Sequence, residues 1–354
     1  MKARLAKIEE CGRVIALLRK NDFVEPGVTD AQLEQLFRSF YVNNPTGREY
    51  MVVGEHDAEI AAFHAAIPFA FRALASQRVG GLGSNLVVDR PLRHGLVFLQ
   101  LQKFFFSNYQ ERGLDFVYGL VTRQEVLQVH LKTGFKAVGE IPVYARPYRL
   151  EKLAARLSTS ERVRSALLPI VRSGNGLLRL GFSAPSDISV DAVSRFPSDI
   201  DDFVGRNLAR FEVCALRNEA ILNWRFATLG FRNYEILIAR KGGSICGYAV
   251  LRLMDMREFK TLAVVDFLSD WETRGASRAL LARVHERALA QHVDLVSVIH
   301  STSSPLRSVF RKAGFLRTPE SFTLVVNQPR ASAAPLGPEH YDSWHVTWFD
   351  HDVV

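Results

Sequence analysis

Apolar residues in this chain fall into two kinds of run. Short, nearly continuous apolar stretches bounded by Gly, Asp or Lys-Gly-Gly predict buried strands and tight hairpins. Longer stretches with apolar positions three and four apart predict amphipathic helices. Tyr50-Met-Val-Val, a turn and Glu59-Ile-Ala-Ala-Phe-His read as one hairpin, and Tyr234-Glu-Ile-Leu-Ile, a Lys241-Gly-Gly turn and Ser244-Ile-Cys-Gly-Tyr-Ala read as another. Both turns carry the residues that sharp reversals need. One helix is expected over about 93 to 112, where Val97, Leu101, Phe104 and Phe105 share a face. A second is expected over about 275 to 290, with Leu280, Leu281, Val284 and Ala288 inward. Phenylalanines at this spacing are core.

These elements occur twice. Asp115-Phe-Val-Tyr-Gly-Leu-Val, a helical segment and Lys132-Thr-Gly-Phe135 have a counterpart about 180 residues later in Asp294-Leu-Val-Ser-Val-Ile-His and Lys312-Ala-Gly-Phe315. Each reads as a buried strand, a loop, a helix stopped by a C-terminal glycine, and an aromatic residue opening the next strand. The predicted class is therefore α/β, with two tandem modules of mixed sheet. The chain divides into 1–145, a connector over 146–195, a second copy over 196–330 and a tail over 331–354.

A strand ending Val87-Val88-Asp89, a turn through Arg90-Pro-Leu-Arg93-His94-Gly95, a long helix, a strand and a helix ending Lys-x-Gly-Phe together resemble the GNAT superfamily of N-acyltransferases. The double copy is similar to tandem-GNAT proteins, a group that includes bacterial acetyltransferases of sugar and polysaccharide pathways and Fem-like aminoacyl transferases. The resemblance spans about 45 to 145 and 205 to 327. It implies acetyl-CoA or another acyl-CoA as donor and a small amine as acceptor, with an amino sugar of a polysaccharide pathway as the implied choice. A helix N-terminus suits the donor's pyrophosphate. The residues implied to hold it are Leu86, Val87 and Val88 on the strand, Arg90, Arg93, His94, Gly95, Leu96, Val97 and Phe98 at the turn, and Arg123 beyond it. The family's turn carries two small residues; here Leu96 takes the first such position and Phe98 the second, while a one-residue shift recovers Gly95 alone.

The family often places a tyrosine five residues before the closing phenylalanine, where it protonates the departing thiolate. That position holds His130, and imidazole exchanges protons near neutrality. A half-buried histidine bonded to a backbone carbonyl fits the same place. Asp89, Glu125 and His64 are the candidates for the base that deprotonates the amine, and an amide of the Leu86-Val87-Val88 strand would steady the oxyanion. In the second copy Phe310 replaces the histidine, and Asp270-Trp-Glu272 brings carboxylates to the phosphate turn. The first copy is thus expected to act, with the second as a structural or substrate-binding partner. Asp266 is expected either to face a cleft between the copies or to be a buried structural aspartate, and Asn223-Trp224-Arg225-Phe226 a helix end whose tryptophan docks the copy. Two alternatives stand beside acyl-CoA chemistry: a Fem-like transferase using aminoacyl-tRNA, and a non-catalytic tandem binding module.

The remaining signals are weaker. Gly80-Gly81-Leu82-Gly83 reads as a flexible hairpin connection, since no Lys-Ser/Thr follows it. Ser84 lacks the glycines of a nucleophile elbow. His340 and His345 read as surface residues, Trp344-His-Val-Thr-Trp-Phe349 as a returning strand, and Asp350, His351 and Asp352 as tail rather than a metal site. No metal is expected.

Composition adds a location for the charge. The 354 residues carry a net charge of +8. Residues 146–180 hold 8 basic and 2 acidic side chains on two amphipathic pieces, which suits an anionic membrane surface or an arginine-bearing linker in water. The rest of the chain is near neutral, so DNA is not an expected partner, and tRNA enters only under the Fem-like alternative. Three scattered cysteines, a charged N-terminus and the lack of a long apolar run point to a cytoplasmic protein, with peripheral contact to the inner face of the membrane through 146–180.

Overall fold

The computed structural model describes residues 2–74, 76–93, 97–149, 184–329 and 335–352. The basic connector predicted for 146–180 lies outside the described residues, apart from 146–149. In the first copy the strands are β1 (Lys2–Leu5), β2 (Tyr50–His56), β3 (Glu59–Ala73), β4 (Ser76–Val88), β5 (Phe116–Val121) and β6 (Lys136–Pro147). Its helices are α1 (Cys11–Lys20), α2 (Asp30–Phe37), α3 (Val97–Asn108) and α4 (Gln124–Lys132). The second copy has β7 (Ile188–Val193), β8 (Val213–Ala215), β9 (Tyr234–Lys241), β10 (Ser244–Met256), β11 (Phe259–Ser269), β12 (Leu295–Ile299) and β13 (Leu316–Asn327). Its helices are α5 (Ile200–Leu208), α6 (Glu219–Phe226), α7 (Ala276–Ala290) and α8 (Leu306–Lys312).

Both predicted hairpins form. Asp57 and Ala58 close β2–β3, and Gly242 and Gly243 close β9–β10, all four with positive φ as a twist-matched two-residue turn requires. The predicted helices end where their glycines stand: Gly134 and Gly314 follow α4 and α8 in the left-handed region. Each copy also carries a bulge, on β4 in the first and on β11 in the second. His64 on β3 opposes both Asn85 and Leu86, because the flanking pairs are Phe63–Val87 and Ala65–Ser84. On β11, Val265 is the extra residue between the Val250–Asp266 and Leu251–Val264 pairs. Beside each bulge a short parallel ladder ends: β4 and β5 part after Leu82–Tyr118, and β11 and β12 after Ala263–Ser297.

The thirteen described strands form one sheet, ordered β1-β2-β3-β4-β5-β13-β6-β12-β11-β10-β9-β7, with β8 on β3. The copies exchange their last strands. β13 lies between β5 and β6, and β6 in turn lies between β13 and β12, all antiparallel. Neither copy completes its sheet alone. Leu101 and Phe105 of α3 cover one face of the first copy, and Leu280 and Val284 of α7 the matching face of the second. A third core, with Phe63, Phe71, Trp224, Tyr248 and Trp344, belongs to both. Trp224 docks as expected, its indole Nε1 donating to Ser39 O at 2.9 Å.

Three expectations need correction. Gly80 to Gly83 are not a connection but the interior of β4. A Cβ on Gly80 would lie 2.5 Å from Phe116 Cζ and 2.9 Å from Phe71 Cε2, so the glycine admits that ring pair. Gly80→Ala is accordingly expected to lower unfolding free energy by about 1–3 kcal/mol through overpacking, read as a reduced urea midpoint. Trp344 to Phe349 do not form an alternating strand. Every residue from Trp344 to Asp350 is buried, which leaves no solvent face to alternate with. The segment makes a single bridge to Val213 and then turns over Thr347, whose hydroxyl accepts from Phe349 N while Asp350 accepts from Thr347 N. His345 is not on the surface; it is buried with its ring 4.5 Å from Phe211.

Candidate active site

The parting of β4 from β5 is where the backbone becomes available. Among the described residues β4 has no partner on that side beyond Leu82, and on its other side the Asn85 bulge breaks the register with β3. Asn85 adopts φ 52°, and its amide donates to the Tyr41 hydroxyl at 2.7 Å, which lies 2.7 Å from Ser84 Oγ. Tyr41 comes from a single π-helical stretch (Arg38–Val42) that continues α2. The bulge is thus held by side chains from the element that packs over it.

A cavity of about 230 Å³ occupies this gap. Its walls include His64 of β3, Ser84, Asn85 and Leu86 of β4, Val121 of β5, and Val126 and His130 of α4. His64 is buried, stacked on Phe105 at 3.8 Å, and its Nδ1 has no hydrogen-bond partner among the described residues. Burial, with His130 close by, lowers its pKa to about 3. His130 Nδ1 lies 2.8 Å from Val126 O. Only a protonated nitrogen satisfies a carbonyl, so Nε2 is left as the acceptor. Burial lowers the His130 pKa below the ordinary imidazole value, and the bond to Val126 offsets part of that. Two neutral imidazoles therefore face one cavity near neutral pH.

The gap continues into a groove of about 360 Å³ between the first copy's helical region, from Leu18 to Tyr41, and the second copy's Phe231, Arg232, Met254 and Asp255. Phe23, Asn85 and Asp352 line both spaces and mark their junction. Asp352 is brought there by the buried C-terminal segment and pairs with His351 at 3.5 Å.

Of the sequence-predicted residues, His130, Leu86 and Arg123 line the cavity, as does His64. Val87 and Val88 are buried in the core instead. Asp89 and Glu125 lie outside the cavity wall. Asp89 caps the turn that follows β4 and accepts from Lys20 at 2.6 Å and Asn21 at 3.3 Å. Glu125 is exposed in the first turn of α4. Arg90 pairs with Asp22, and Arg93 donates to Val88 O at 2.9 Å and Asn21 at 3.0 Å, so both tie the turn to α1. Val97 and Phe98 open α3 and pack on the helix-side core. His94, Gly95 and Leu96 lie outside the described residues. Asn85 and Asp352 were not singled out for this site. An asparagine inside an apolar strand is a bulge signal, because it tolerates positive φ better than most side chains; Asp352 carries no local signal.

Beside the second copy's bulge the carboxylate is held by the protein's own side chains. Asp266, beside the β11 bulge, accepts from Arg217 Nε at 2.9 Å, Tyr248 at 2.7 Å and Thr347 at 2.8 Å. It is a buried structural aspartate, and Phe310 packs against Phe267 with no proton to exchange. Among the described residues no three His, Cys, Asp or Glu side chains converge as a metal site, and no helix is long and apolar enough to cross a membrane.

No protein-family model and no curated protein matches the sequence. Solved structures do match. A probable N-acyltransferase from Enterococcus faecalis superposes with a TM-score of 0.62 at 9% identity, covering 96% of this chain and 73% of that one. A GCN5-related N-acetyltransferase from Anabaena variabilis gives 0.63 at 11%, covering 92% and 72%. Saccharomyces cerevisiae N-myristoyltransferase with bound myristoyl-CoA gives 0.60 at 13%, covering 94% and 83%. At such identities the likeness is one of fold: the chain is built as a mixed α/β GNAT fold in two copies.

Proposed function

We propose that the first copy transfers an acyl group from acyl-CoA, acetyl-CoA being the simplest donor, to a primary amine. The observation that carries this reading is the gap between β4 and β5, bordered by a bulge and opening at Asp352 into a second groove. The residues suit a thioester arm with amide groups. Among the described residues the β4 edge past Leu82 has no strand beside it, and His64 Nδ1, without a hydrogen-bond partner there, lies in the same wall. Arg123, exposed at the rim, supplies charge for a phosphate.

Each residue then has a task. The backbone of the bulge at Asn85–Leu86 steadies the oxyanion that forms when an amine attacks the thioester carbonyl. An ammonium must first lose its proton, and Asp352 at the junction accepts it. His130 Nε2 takes the proton shed by the attacking nitrogen as the C–N bond forms, and returns it to sulfur as the C–S bond breaks. The products are an amide and a free thiol, with one proton released overall. Burial keeps His130 neutral at neutral pH, which leaves Nε2 unprotonated.

Because the copies exchange strands, the test uses the full chain. At a hundred times its dissociation constant, acetyl-CoA is expected to add about 2.7 kcal/mol to unfolding free energy. Thermal unfolding with and without the ligand reads this, together with thiol release in the presence of amines. No stabilisation by acetyl-CoA or by longer acyl-CoA would overturn the assignment.

A further inference from the structure

The groove beyond Asp352 has a composition that specifies what enters it. Its floor is apolar and aromatic, with Phe37, Phe40 and Ile67 buried beneath it. At the junction Phe23 stands 45% exposed, a large apolar surface without cover at the point where the two spaces meet. Four carboxylates line the same groove: Asp22, Glu25, Asp255 and Asp352. Arg90 neutralises Asp22, and Arg252 neutralises Glu25 at 3.0 Å. Asp255 and Asp352 have no lysine or arginine within ion-pair distance among the described residues, and Arg232 is the one basic residue of the described lining. The wall is therefore apolar with a net negative balance.

Resting on the acyl-transfer reading above, we infer that the acceptor is a primary amine with an apolar body, its ammonium at Asp352 and its hydrocarbon along Phe23, Leu36 and Met254. Continuity of the groove with the acyl cavity places the nitrogen at the thioester end. The charge balance selects a cation, which an acyl chain in the same groove would not call for. A polyhydroxylated amine would leave its hydroxyls against apolar walls, which costs free energy for every unpaired group. The second copy thereby sets specificity: Phe231, Met254 and Asp255 are its contributions to a site whose chemistry lies in the first.

Thiol release from acetyl-CoA is measured for methylamine, butylamine, hexylamine, octylamine and glucosamine, and from octanoyl-CoA with methylamine. The expected result is a rise in kcat/KM of about three- to fourfold per methylene of the amine until the groove is filled, with glucosamine far below hexylamine. Met254→Trp is expected to end that rise at a shorter amine. A flat series, a preference for glucosamine, or a rise with donor length instead of amine length would overturn the inference while leaving acyl transfer standing. Absence of thiol release with every amine would overturn the acyl-transfer reading itself.

Discussion

Arg217→Ala is expected to cost the folded chain about 3–5 kcal/mol, a large part of the stability of an ordinary domain. Arg217 is fully buried and binds Asp266 at 2.9 Å and Asp350 at 3.0 Å, both themselves buried. Burial raises the Asp350 carboxyl above its usual range in spite of Arg217. Burial pulls Asp266 the same way, but there Arg217, with the nearby His345 and the Tyr248 and Thr347 bonds, prevails and holds the carboxyl below its usual range. Removing the guanidinium strands two carboxylates in the core, and each must then take up a proton or remain an unpaired buried charge. A carboxyl whose folded pKa exceeds its unfolded value of about 3.9 loses stability as the pH rises through the folded value. The deficit in the variant should therefore be larger at pH 7 than near pH 4, as urea unfolding at the two values would read. Replacing Arg217, Asp266 and Asp350 together by apolar residues should recover most of the loss, because the pair's desolvation cost disappears with it. A loss below 1 kcal/mol for Arg217→Ala would show that the C-terminal segment is not held by this network.

His130→Gln is expected to lower kcat by about 10²- to 10⁴-fold, the range for removal of a general acid–base group. Stabilisation by acetyl-CoA should persist in the variant, because the gap and its bulge remain. In the unsubstituted protein the base must be neutral to act. Since burial lowers the His130 pKa, the acid limb of the kcat/KM profile should fall below pH 6.5, and His130→Gln should abolish that limb. Loss of acyl-CoA binding together with activity would instead assign His130 a structural role at Val126.

The parts of the fold legible in the sequence are those decided by neighbours along the chain. Asp57-Ala58 and Gly242-Gly243 reverse the hairpins locally, Gly134 and Gly314 stop their helices locally, and the repeat made each reading twice testable. His130 was legible for the same reason: its position is counted from the glycine that ends its own helix. Asp89 and Glu125 had the right chemistry, but Glu125 faces solvent and the partner of Asp89 was invisible. Lys20, which takes up Asp89, is 69 residues away.

Tertiary contact decided the rest. The alternation in Trp344 to Phe349 suggested a strand with one solvent face, yet both faces are buried, and after one bridge to Val213 the segment turns over Thr347 instead of pairing. Glycines that read as a flexible link in Gly80 and Gly81 are there because rings and aliphatic side chains from elsewhere in the first copy leave no room for a Cβ. The exchange of β6 and β13, the delivery of Asp352 to the gap and the groove walled by Met254 and Phe231 all depend on residues brought together from opposite ends of the chain. Hydrophobic period and turn chemistry act over a few residues, so the sequence by itself determined two α/β copies and the histidine of the first. Burial between distant segments has no local signature, so only the tertiary structure decided where the strands part, how the aspartate beside the second bulge is held, and which carboxylate stands beside the first copy's cavity.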